Sequence, residues 1–76
     1  MSPRLPRITA AELVKALKRD GWQLVRQRGS HVILKHPTKQ GRVTVPMHST
    51  EIVRLKTLDS ILEQAELTIE DLNGLL

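Results

Sequence analysis

Seventy-six residues, no cysteine and a net charge of +4 point to one small domain, residues 1–76. Its core must be modest, and neither disulfides nor Cys-ligated zinc can support it. The charge is uneven: residues 1–50 hold ten Lys/Arg against two acids (Glu12 and Asp20), a net +8, while residues 51–76 hold two against six, a net −4. No apolar run reaches the length of a membrane span and no signal-peptide pattern opens the chain, so a cytoplasmic protein without membrane contact is expected.

Residues 1–8, with two prolines and two arginines before Ile8, read as an extended lead-in. "ITAAELVKALKRDG" then carries a helix signature. Thr9 followed by Glu12 is a capping box, in which each side chain satisfies an unpaired backbone N–H of the first turn. Leu13, Val14 and Leu17 share a face, and Gly21 supplies a left-handed stop. Three short strands follow, "WQLVRQ", "HVILKH" and "RVTVP", separated by turn residues at "RGS" and "PTKQG". Alternation places Trp22, Leu24, Val32, Leu34, Val43 and Val45 on one side. Gln23, Val25, Gln27, His31, Ile33, Lys35, Arg42 and Thr44 take the other.

A three-residue turn at Arg28-Gly29-Ser30 keeps like faces together, pairing Gln27 with His31, Val25 with Ile33 and Leu24 with Leu34. A two-residue turn would set core positions against solvent positions. Gly29 is the residue expected at positive φ. A turn at Pro37–Gln40 pairs Leu34 with Val43 and His31 with Pro46. A second helix bears Leu58, Ile61, Leu62 and Ala65, with Thr57 or Asp59 near its start, and Thr68 opens a short terminal turn. The fold class expected is α+β, in the order α-β-β-β-α, with a three-stranded antiparallel sheet covered by helices on one face.

From Gly21 to Thr50 there is no carboxylate, while five Lys/Arg and all three histidines fall there. Such a block attracts polyanions, nucleic acid being the usual one; a merely solvated basic face is the plainer alternative. Two-metal nuclease chemistry needs clustered carboxylates, and His31 and His36, five apart in one strand, leave opposite faces. No metal or other cofactor is therefore expected. No serine lies in a nucleophile elbow, and the glycines are too dispersed for a phosphate loop. Trp22, the single aromatic, falls on the covered side, so bases cannot stack on the sheet. Contacts to RNA would go to phosphate and 2′-hydroxyl.

Histidine remains as general acid or base, since both protonation states of an unperturbed imidazole are available near neutral pH. RNA brings its own nucleophile in the 2′-hydroxyl. His36, before Pro37 at a strand end, reads as a local hydrogen-bonding residue, and His48 lies in a segment expected to approach His31. His31 itself stands on the outer face beside the turn, with Arg26, Arg28 and Lys35 in reach and Ser30 as a hydroxyl donor.

The stretches "GWQLVRQRGSHVILKHP", "VTVPMHS" and "LKTLDSILEQAELTIEDL" resemble the HicA family of toxin–antitoxin toxins, small mRNA interferases with a double-stranded-RNA-binding-like α-β-β-β-α fold. The resemblance runs from about Pro6 to the C-terminus, and G-S-H, His-Pro and V-P-x-H are its most specific parts. It implies that His31 is catalytic, that mRNA is cleaved without metal, and that a cognate HicB-type antitoxin covers the active face. Arg26, Arg28, Ser30 and Lys35 would then bind RNA. Two alternatives stand beside it: a non-catalytic double-stranded-RNA-binding module, and an inactive toxin homologue retained for antitoxin binding. The family pattern K-G-T has Lys56 at its glycine here, which would strain the backbone by roughly 1–2 kcal/mol if that position has positive φ. Glu66 likewise stands where a glycine is common.

Overall fold

The computed structural model describes residues 4–47 and 51–76. The elements are α1 (Ala10–Arg19), β1 (Gln23–Arg28), β2 (His31–Lys35), β3 (Arg42–Pro46), α2 (Leu55–Gln64) and α3 (Ile69–Leu75). The strands form one antiparallel sheet in the order β1-β2-β3. Val32, Leu34, Val43 and Val45 point to one side and are buried with Leu13, Leu17, Trp22, Leu58, Ile61, Leu62 and Leu72. The expected α+β architecture is present, with a third helix where a terminal turn was expected. Of the lead-in, Ile8 is already part of the core and Leu5 packs against it. Among the described residues no helix is long and apolar enough to cross a membrane.

Two helices begin with the same device. The Thr9 N–H donates to Glu12 Oε1 at 3.0 Å, and the Glu12 N–H donates to Thr9 Oγ1 at 3.2 Å. Thr68 and Asp71 repeat the pattern at 2.9 and 3.0 Å. The backbone amides of Thr9 and Thr68 bond the charged carboxylates, and the threonine hydroxyls add to this. Both acids are thereby held below their ordinary values of 4.5 and 3.8. A depressed folded-state pKa contributes stability above the unfolded value, lost as pH falls through the folded one. Urea midpoints should therefore drop on acidification below about pH 4.5. The drop should be smaller in Thr9→Ala, which has already lost one box; an equal drop would remove the boxes from the acid response.

α1 and α2 end alike, and the comparison locates a strained residue. After α1, Gly21 donates to Lys18 O and Trp22 to Leu17 O, both at 3.0 Å. After α2, Glu66 donates to Glu63 O at 3.2 Å and Leu67 to Leu62 O at 2.9 Å. Each is a Schellman closure, which needs a left-handed residue. Gly21 supplies it at φ 107°, but at the second site Glu66 must adopt φ 55°. Lys56 is not strained: it lies within α2, and Glu66 is the only non-glycine residue of positive φ among the described residues. The positive φ on which strain at Lys56 depended is therefore absent, and the left-handed residue is Glu66. Glu66→Gly should stabilise the fold by about 1 kcal/mol, the relief of left-handed strain less the extra chain entropy of glycine. Thermal melting measures this, and a lower melting temperature would contradict it.

The start of α2 also departs from expectation. The helix begins at Leu55 with Arg54 as an N-cap that makes no side-chain bond, so Thr57 and Asp59 lie inside it. Tertiary pairing sets this start. The Val53 N–H donates to Ile8 O at 2.8 Å beside a Thr9–Ile52 bridge, and Val53 is buried. Lys39 then joins the helix C-termini, its ammonium donating to Asp20 Oδ2 at 2.8 Å and to Ala65 O at 3.0 Å. A cation there complements the negative ends of α1 and α2.

Candidate functional site

The hairpin tip differs from the expected one, and the difference builds the site. Arg28 pairs with His31, leaving a two-residue turn of Gly29 and Ser30. Gly29 has φ 56°, as the first position of a II′ hairpin turn requires. This register pairs Gln27 with Val32 and Arg26 with Ile33, which continued unbroken would flip every inward residue of β1 outward. A bulge at Val25 prevents that, and Leu24 returns opposite Leu34. A bulge inserts one residue and re-aims the side chains beyond it. Between bulge and tip, the outward residues are therefore Arg26 and Arg28, while Gln27, opposite Val32, turns to the other side. Leu24 keeps its inward parity but lies on an edge strand and is 44% exposed.

Directly opposite residues share a face, so the outer face consists of three cross-strand rows. Arg28, His31 and Pro46 form the row at the tip; Arg26, Ile33 and Thr44 the middle row; Gln23, Lys35 and Arg42 the far row. Successive rows lie about 7 Å apart along the strands. All are exposed except Ile33 and Pro46, which are partly covered. His31 is exposed to solvent, as any residue acting on a polymeric substrate must be. Among the described residues none of Arg26, Arg28, His31, Lys35 or Arg42 makes an ion pair; the one recorded is Lys39 with Asp20. Ser30 sits in the turn, where its carbonyl accepts from the Met47 N–H, drawing the chain that leaves β3 against the tip. His48 lies outside the described residues.

His36 is occupied otherwise. Its Nδ1 accepts the Thr38 and Lys39 backbone N–H groups, both at 3.1 Å, so Nε2 carries the proton and donates to Asp20 O at 2.8 Å. The ring meets Trp22 edge-on at a centroid distance of 5.2 Å. It is a structural residue joining the β2–β3 loop to the end of α1. Among the described residues no group of three or more His, Asp or Glu is placed to hold a metal ion. Arg42 was assigned to the outer face by alternation but not to the candidate site; only the pairing with Lys35 brings it in.

A three-stranded antiparallel sheet with its helices on one side and the other side open belongs to the double-stranded-RNA-binding-like α+β class. A family model described as the HicA toxin of bacterial toxin–antitoxin systems matches residues 10–67. The match extends from the first turn of α1 through the closure of α2, and the chain belongs to the HicA toxin family. A search of the curated proteins finds no match to it. Membership gives the chain a toxin role in a toxin–antitoxin system, with an antitoxin as partner.

Proposed function

We propose that this toxin is a metal-independent endoribonuclease that cleaves mRNA in the cytoplasm, with His31 as its single catalytic histidine. The observation that carries this reading is the placement of His31: exposed, directly across from Arg28, on a face whose strands contain no carboxylate. Cleavage joins the ribose 2′-oxygen to phosphorus and breaks the bond to the 5′-oxygen. One proton leaves the 2′-hydroxyl and one arrives on the departing oxygen. His31 performs one of these transfers, as base or acid, and water completes the other.

The arginines supply what a lone imidazole cannot. Arg28, and Arg26 one row away, stabilise the charge developing on the phosphate oxygens, the guanidinium fork matching phosphate geometry. Lys35 holds the strand further along, and Ser30 orients the turn or donates its hydroxyl. Because the nucleophile belongs to RNA, no metal-activated water is needed. A HicB-type antitoxin would silence the toxin by covering this face. Purified protein incubated with a long transcript in EDTA should fragment it. A transcript that is shifted in a gel yet stays intact would favour a non-cleaving RNA-binding module instead.

A further inference from the structure

The two ends of the outer face carry different arrangements of charge. At the tip a single arginine faces the imidazole. At the far end Lys35 and Arg42 face each other as direct cross-strand partners. Side chains opposite one another in a sheet stand about 5 Å apart at Cβ, and like charges so placed destabilise the pair. Neither cation has an ion-pair partner among the described residues, and no acid occurs from Gly21 to Thr50. The fold thus keeps a repulsive pair that an anion between the two side chains would relieve.

Position excludes this pair from the chemistry at His31. Four residues of strand separate His31 from Lys35, about 13 Å, and side chains standing roughly perpendicular to a sheet keep that spacing. Ile33, partly buried, occupies the row between.

We propose that Lys35 and Arg42 form a phosphate clamp, gripping the RNA backbone at a phosphate remote from the scissile one. The clamp deepens the ribonuclease reading and rests on it for the identity of the polyanion. It binds ground state and transition state alike, so its loss raises KM and leaves kcat unchanged.

The test uses a labelled single-stranded oligoribonucleotide and the His31→Ala protein, so that binding is measured without cleavage. Adding Arg42→Gln should weaken binding several-fold and flatten the dependence of log affinity on log salt by about 0.7. Lys35→Gln should act similarly. Melting temperatures should stay equal or rise, because the repulsion is gone. An unchanged salt slope, or a lower melting temperature for Arg42→Gln, would overturn the clamp, the latter marking Arg42 as structural. With His31 present, a fall in kcat at constant KM would also overturn it. If His31-containing protein fails to cut RNA while the slopes change as stated, the ribonuclease reading falls and the clamp stands.

Discussion

His31→Ala should abolish RNA cleavage and growth arrest while leaving the protein folded and able to bind RNA. The side chain is exposed and makes no hydrogen bond to another described residue, and surface substitutions of this kind change stability by about 0.5 kcal/mol or less. Loss of a positioned acid–base group costs ~10²–10⁴-fold in rate, which is ample to relieve toxicity. Paired measurements of transcript cleavage, melting temperature and growth on induction separate the two effects. A mutant as toxic as the parent would remove His31 from the chemistry, and a mutant that unfolds would make its role structural.

The largest stability loss from a single methyl group should come at Gly21. Its φ of 107° is a conformation that side chains resist. A Cβ built there would also lie 2.7 Å from His36 Nε2, the atom bonded to Asp20 O. Gly21→Ala must therefore strain the closure of α1 and push the imidazole off its acceptor. Dihedral strain of about 1–2 kcal/mol and one or two hydrogen bonds at about 1 kcal/mol each exceed the gain of roughly 0.5–1 kcal/mol from a stiffer unfolded chain.

The net loss at Gly21, about 2 kcal/mol, is a large share of the roughly 4–11 kcal/mol available to a domain of this size. Melting should fall by about 10 °C. Removing the imidazole first, as His36→Ala, should make the same glycine change cheaper, because residues in contact are not additive. A full penalty in both backgrounds would assign the cost to φ alone.

Much of the fold was legible because it rests on local chemistry. Thr9 with Glu12 and Thr68 with Asp71 mark helix starts through bonds spanning three residues. The pairing of Leu34 with Val43 and of His31 with Pro46 followed from loop length and alternation. The role expected of His36 was local hydrogen bonding, and its ring satisfies the loop beside it. Less was legible where distant segments meet. The start of α2 depends on Ile8 and Val53, which lie 45 positions apart, and no cap residue announces it. The consecutive apolar residues Leu24 and Val25 did break the alternation of β1, and that break was the available sign of a bulge.

By itself the sequence determined a basic, acid-free segment of alternating strands, the helix boundaries written in capping residues, and a histidine beside a glycine turn. Composition and contacts of short range suffice for these. Only the tertiary structure decided which arginines share the face of that histidine and that the strained residue is Glu66, not Lys56. Strand register is set jointly by turn, bulge and core. A single inserted residue inverts the facing of all positions beyond it, and no local pattern reports the inversion.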